Sequence, residues 1–401
     1  MKRGCVIGYD INEKGCQISY YDDSMEEPDT MMASSNNYLI PLVLGYFKDR
    51  WVFGKEAKRL AVVGEDCTET DLYGKAKRRE KVSLAGKTYD AVWLLAKYIS
   101  LTLQDFENIQ YLTFTTPETD VDMAKMLKGI GQHIGVDKEI INVQDYKESF
   151  CQYMIFQPKE LWQYESALFY CDEDRIKAYM LRRLRVDASH GMNSFVTVDE
   201  VANAQRKELE ALYPIMNKEK SPDESFKSMI ENVFEKKVIS SVYLTGEGFE
   251  KNWYPNSLRV LCNGRRAFMG NNLYSKGACY KSIRKCEPND DGPIYLDETK
   301  LTERICLRMR VDGQEGWYPL VTWGTHWYEA DGQWEVLLED ASDIEILVES
   351  LVDEEVQVEK VSLEGLPKRT DYSLRLQVEA MFLDERTCKL TFRDVGFGEF
   401  F

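Results

Sequence analysis

Beyond Cys286-Glu287-Pro288-Asn289-Asp290-Asp291-Gly292-Pro293 the chain alternates apolar and polar residues almost without interruption, and nothing else in the sequence constrains the fold as tightly. Segments 305–310, 333–338, 344–351, 356–363, 374–382 and 389–393 carry the two-residue period of half-buried strands, with Gly, Asp and Pro turns between them. Six strands in about 100 residues with no helical period predict an all-β sandwich. The acidic break has neither period and predicts a linker over 285–297. Two domains follow, 1–284 and 298–401, as expected for 401 residues, which exceed the usual size of one core.

The first domain mixes periods. Residues 5–21 read as a hairpin: two apolar runs flank a polar turn, with Asp10 at the end of the first run. Alone, Asp10 reads as an ordinary turn acid. Residues 39–53 predict a small sheet, 54–63 a helix, 66–79 an irregular polar stretch and 89–103 a helix. Segments 111–115, 121–134 and 139–143 form a strand, helix, strand unit, which implies a parallel pair. A helix over 146–156 leads to a second hairpin, 166–184, turning at Asp172-Glu173-Asp174. Residues 194–234 predict one or two helices, with Ser221 as N-cap and Pro222 at the first helical position. A strand over 238–244 runs into a loop holding Gly246 and Gly248, and 270–280 is a helix with small residues on one face. No internal repeat of fixed period stands out.

Composition bounds the function. A net charge of −17, with 68 acids against 51 bases, argues against nucleic acid or an anionic membrane surface as the main partner. Ten cysteines are scattered without a Cys-x-x-Cys pair, and there are three histidines, His133, His190 and His326, so no metal site is expected. The thiol pattern, the lack of a signal peptide and the lack of an apolar run of about 18 residues predict a cytoplasmic protein. Local basic runs at 75–79 and 182–185 read as solvated faces. Aromatics concentrate at Trp317, Tyr318, Trp323, Trp327, Tyr328 and Trp334. They read first as sandwich core; if exposed, they would hold an extended apolar peptide beside a sheet edge.

The order of these pieces carries a resemblance. The hairpin with Asp10, the small sheet with Ile40-Pro41 and Phe53-Gly54-Lys55-Glu56-Ala57, the strand ending at Thr116-Pro117, the second hairpin and the glycine loop at 246–248 resemble, in that order, the actin-like ATPase superfamily. Within it the chain is most similar to the seventy-kilodalton heat-shock chaperones and looks like a degenerate bacterial branch. The resemblance implies an α/β two-lobed ATPase fold followed by a β-sandwich like the chaperones' peptide-binding domain. Tyr318-Pro319-Leu320-Val321 and Leu363-Glu364-Gly365-Leu366-Pro367 carry the second part. It implies catalytic positions at Asp10, Lys77 and Asp145. ATP or ADP with Mg would be contacted by Gly8, Asp10, Asn12, Gly246, Glu247 and Gly248, and a protein or extended peptide by the sandwich.

The phosphate turns depart from the family. Such turns need backbone N–H groups aimed at anionic oxygens, which glycines permit. Ile11-Asn12-Glu13-Lys14 stands where the family has a Gly-Thr-Thr type turn, and Cys171-Asp172-Glu173-Asp174-Arg175 has no glycine and three carboxylates. A carboxylate about 4 Å from a phosphate oxygen costs about 4 kcal/mol per charge pair at an effective dielectric near 20. The expectation is a chaperone-like protein with a degenerate ATPase domain, weak nucleotide binding at most, and hydrolysis lost. Two alternatives stay open: an active ATPase with a modified second turn, and a nucleotide-independent interaction scaffold.

Overall fold

The protein is seen in a computed structural model describing residues 4–34, 37–63, 67–184, 194–205, 221–287, 292–338, 343–351, 356–363 and 374–396. Its contacts divide it into two compact units, residues 1–182 with 198–291, and residues 183–197 with 292–401. The first is mixed α/β and the second is β-rich.

The first unit is built on two sheets with one topology. In the first sheet Cys5–Ile11 is central. Gly15–Tyr21 lies antiparallel on one side, followed by Asp29–Thr30. Ile109–Thr116 and then Ile141–Asp145 lie parallel on the other. The second sheet repeats the order. Glu165–Cys171 is central, with Arg175–Leu184 antiparallel and then Phe195–Gln205 on one side. Ile239–Thr245 and Arg266–Met269 lie parallel on the other. The central strands read as continuous apolar runs because helices cover both faces; Ile7, Tyr9, Ile11, Ala167 and Phe169 are fully buried. This repetition of topology leaves no periodic trace in the sequence.

Helices start where acids and Ser221 can accept the free N–H groups of the first turn. Asp90 caps Ala91–Thr102, Asp120 caps Val121–His133, Asp145 caps Tyr146–Ile155, and Ser221 caps Pro222–Phe234 as the sequence predicts. Two expectations fail. Phe195–Gln205 is an eleven-residue strand and not helix, because Phe195-Val196-Thr197-Val198 starts a β-branched run that the second sheet completes. Residues 206–220, where the rest of that helix was expected, lie outside the described residues. The stretch expected to be irregular holds the short strand Thr68–Glu69 and the helix Leu72–Lys77, which buries Leu72, Tyr73 and Ala76.

The small-faced helix Leu273–Cys286 packs on the first sheet and against Tyr146–Ile155, with Ser275, Gly277, Ala278, Cys279 and Ser282 buried. Its backbone lies so close that a Cβ on Gly8 would run into the nitrogen of Cys279 and the carbonyl of Ser275. A Cβ on Gly277 would likewise meet the carbonyl of Ser149. Hydroxyls fasten the contact: Ser282 donates to the Ile7 carbonyl at 3.0 Å, and Ser19 and Ser275 bond at 2.8 Å.

In the second unit a sheet ordered Gln314–Val321, Glu303–Val311, Asp343–Ser350, Val356–Ser362 shares one core with a sheet ordered Gly332–Leu338, Leu374–Phe382, Cys388–Asp394. Ile305, Leu307, Ile344 and Ile346 come from the first, Leu376, Val378 and Ala380 from the second. Pro319 sits on the end strand Gln314–Val321, where its missing N–H costs no ladder bond. Trp323 is buried and donates to the Glu349 carbonyl, while Trp327 and Trp334 pack on the core. Trp317 alone among the expected aromatic cluster is markedly exposed. Residues 288–291 of the expected linker, 364–373 and the tail 397–401 lie outside the described residues.

Candidate functional site

Asp10 ends the central strand of the first sheet and is buried, paired in register with Gln17 and Thr115. The Tyr146 hydroxyl donates to its Oδ1 at 2.8 Å, and the Asn12 amide donates in turn to the Tyr146 oxygen at 2.9 Å. Burial pushes the Asp10 carboxyl up to about 7, only partly offset by the Tyr146 hydrogen bond. The Tyr274 ring stacks on Tyr146, with centroids 3.7 Å apart and planes within 6°. Tyr73 and Tyr170 lie within electrostatic reach of Asp10. Burial raises both phenols well above their usual range; after Glu13 for Tyr73 and Asp172 for Tyr170, the nearby Asp10 carboxylate raises them further. Tyr146 thus bonds the acid directly and Tyr274 stacks on Tyr146, with Tyr170 6.5 Å from Tyr274. Buried acids with perturbed titration mark functional sites more often than chance, though structural networks perturb them too.

Several backbone donors of the surrounding turns are engaged by side chains. In the first hairpin the Asn12 side-chain oxygen accepts from the N–H groups of Lys14, at 2.9 Å, and Gly15, at 3.3 Å. In the second, Asp172 Oδ1 accepts from the N–H groups of Asp174 and Arg175, both at 2.8 Å. In the glycine loop the Gly246 N–H donates to Asn271 Oδ1 at 3.1 Å. Asn12 and Asp172 each close their own turn, as Asn and Asp do, while Asn271 reaches Gly246 from 25 residues away. Lys14 also pairs with Glu247, which ties the first hairpin to the glycine loop. Both ends are nearly half exposed, so replacing either by alanine should lower stability by no more than about 1 kcal/mol in a urea titration.

The expected site residues are only partly gathered. Asp10 and Asn12 meet at Tyr146, and Glu247 meets the first hairpin through Lys14. Gly8 lies under the helix Leu273–Cys286. Gly246, at φ +101°, and Gly248 give room to the Cys171-Asp172 backbone, where a Cβ on either would collide. Lys77 stands exposed at the end of Leu72–Lys77, and from that helix it is Tyr73 that is buried near Asp10. Asp145 accepts the N–H of Glu148 at 2.8 Å as a helix cap and lies 3.9 Å from Lys147. Sequence reasoning did not single out Tyr73, Tyr146, Tyr170, Tyr274 or Asn271. Their spacing signals only helices and strands, and no local pattern marks them as neighbours.

Of the N–H groups in these three turns, those of Lys14, Gly15, Asp174, Arg175 and Gly246 donate to Asn12, Asp172 and Asn271, and Asp10 accepts from the Tyr146 hydroxyl. Among the described residues no group of three or more His, Cys, Asp or Glu side chains is arranged to hold a metal ion. No described helix is long and apolar enough to cross a membrane.

Comparison with curated proteins gives no match. A domain of unknown function, DUF8552, matches residues 300–401, the greater part of the β-rich unit. Residues 27–298, well over half of the chain, match the C-terminal part of a family of unknown function, DUF5716, and the chain belongs to that family.

Proposed function

We propose that the first unit is an actin-like ATPase-type body whose phosphate positions are occupied by its own side chains. The protein then acts as a nucleotide-independent interaction scaffold, related to the heat-shock chaperones, that holds a protein or extended peptide through its β-sandwich. One observation supports the reading: side-chain oxygens of Asn12, Asp172 and Asn271 accept backbone N–H groups in the three turns where the resemblance implies phosphate contacts. A ligand phosphate would have to break these bonds and desolvate the carboxylate of Asp172 beside it. The repeated sheet order supports the kinship, since the resemblance implies two lobes each built on a mixed sheet. The partner role draws support from a cavity of about 230 Å³ between the two sheets of the second unit, lined by Leu301, Ile305, Ile346, Val348, Phe382 and Leu390. Glu303, Glu359 and Arg386 also line it, so an apolar side chain carried on a polar backbone suits it.

Thermal unfolding with and without millimolar Mg-ATP and Mg-ADP tests the nucleotide half. The midpoint should not move by more than about 1 °C, whereas a ligand at 100 times its dissociation constant would add about 2.7 kcal/mol and several degrees. A shift of that size with either nucleotide overturns the scaffold reading. Phosphate release abolished by Asp10→Asn would replace it with the ATPase reading.

A further inference from the structure

The two sheets of the first unit repeat one order, but their corresponding end strands differ in environment. Ile141–Asp145 ends the first sheet with Ile141, Val143 and Gln144 buried, and the helices Val121–His133 and Tyr146–Ile155 pack on it. Arg266–Met269 ends the second with Arg266, Phe268 and Met269 exposed, Phe268 to 37% and Met269 to 65%. Among the described residues this strand pairs only with Ile239–Thr245. Just past it the Gly270 N–H donates to the Leu244 carbonyl at 3.1 Å. Bonding alternates along a strand, so Ala267 and Met269 turn their N–H and C=O groups to the open side. Such an edge, uncovered and flanked by apolar side chains, is a template for another strand.

The exposed ring is held in place. Phe268 stacks on Tyr243 with centroids 5.0 Å apart and planes within 18°, and Tyr243 in turn meets Phe150 and Tyr153 edge-on. Arg266, two residues before Phe268, lies on the same face of the strand. On the other face Met269 Sδ lies 3.6 Å from the Tyr254 hydroxyl. An added strand would therefore find an aromatic ring beside a cation on one face and a thioether on the other.

Charge selects the strand that suits this edge. Residues 251–286 hold eight Lys and Arg and no Asp or Glu, in a chain at −17. Lys276 and Lys281 are paired, with Glu27 and Glu148. Lys251, Arg259 and Arg266 are exposed, and among the described residues neither they nor Arg265 have a carboxylate partner. Arg265 stacks over the Phe234 ring at 4.6 Å and donates from Nε to the Asn263 carbonyl, while its Nη1 is buried without an acceptor. We infer that Arg266–Met269 receives an extended acidic segment of a partner protein as a further strand. Its backbone bonds Ala267 and Met269, a carboxylate meets Arg266, and an apolar side chain covers Phe268. A second copy would bring the same arginines to the same edge, and like charges disfavour it. The inference goes beyond the scaffold reading and does not depend on what the β-sandwich holds.

Fluorescence anisotropy of the full chain with short labelled peptides in which Glu alternates with Val or Phe tests it. A dissociation constant of about 100 μM or below is expected at low ionic strength, with the matching Lys peptides weaker by about tenfold or more. Methylating the backbone nitrogens of the Glu peptides keeps every charge and blocks strand pairing, and should also weaken binding about tenfold or more. Arg266→Glu should do the same at an unchanged melting temperature, and so should Met269→Pro, which removes an outward N–H and no ladder bond. No binding by any Glu peptide at about 1 mM overturns the inference, as does equal binding of the methylated peptides. Binding that survives Arg266→Glu overturns it too, because the peptide then sits elsewhere, the sandwich included. Tighter capture of a single-stranded oligonucleotide than of any peptide would assign the basic run to a polyanion instead. A dimer abolished by Met269→Pro would assign the edge to a second copy, and either result replaces the inference.

Discussion

Asp10→Asn should stabilise the protein above pH 7 by about 4 kcal/mol, a large fraction of the stability of an ordinary domain. The carboxyl has a folded value of about 7 against a reference of 3.8, roughly three units, and each unit is worth about 1.4 kcal/mol. Below about pH 4 the group is neutral in both folded and unfolded chains and favours neither. Between about pH 4 and 7 the unfolded chain loses this proton while the folded chain keeps it, so stability falls as pH rises. Above about pH 7 both are ionised, and the folded state carries the full cost of a buried charge. Asparagine keeps an oxygen to accept from Tyr146 and does not titrate. The difference between variant and wild type in urea titrations should therefore grow from about pH 4 to 7 and then level. A difference that does not change with pH would mean that Asp10 is already ionised and compensated at low pH, and the enclosed-acid reading would fail.

Gly8→Ala is the second large effect. The new methyl would be driven into the Cys279 nitrogen and the Ser275 carbonyl, which are helix backbone and cannot rotate aside. The helix Leu273–Cys286 would have to move off the sheet, loosening the Ser282 bond to Ile7 and the Ser19 bond to Ser275. Overpacking alone costs about 1–3 kcal/mol, and the lost buried hydrogen bonds add about 1 kcal/mol each, so a loss of about 4 kcal/mol is expected without any ligand. A chemical denaturation midpoint within error of wild type would show that Gly8 is kept for a ligand and not for the helix. Ser282→Ala, which removes the bonds to Ile7 and Thr113 and adds no bulk, should cost about 2 kcal/mol in the same titration.

Much of the fold is legible because hydrophobic period and burial are the same fact seen twice. Glu165–Cys171 follows from the apolar run Ala167-Leu168-Phe169-Tyr170, and Leu374–Phe382 from the alternation of Leu374, Leu376, Val378 and Ala380 with polar residues. Phe195–Gln205 reads as helix because its second half, Val201-Ala202-Asn203-Ala204-Gln205, has no strict alternation, and a neighbouring strand decides its state. The aromatics of the second unit follow the same logic. Their density signals core, and only Trp317 departs, because it lies on the end strand Gln314–Val321.

The candidate site divides differently. Residue order alone marked Asp10 at the end of a buried strand and showed turns with Asn12 and Asp172 where a phosphate-binding loop would carry glycines; both are local properties, set by strand length and turn chemistry. That Asn12 and Asp172 accept N–H groups of those turns and Asn271 one of the glycine loop, and that Tyr146 bonds Asp10 from 136 residues away while Tyr274 stacks on Tyr146, only the tertiary structure decided. Burial obliges a polar group to find a partner, but which partner it finds depends on which distant segments the packing brings within about 3 Å.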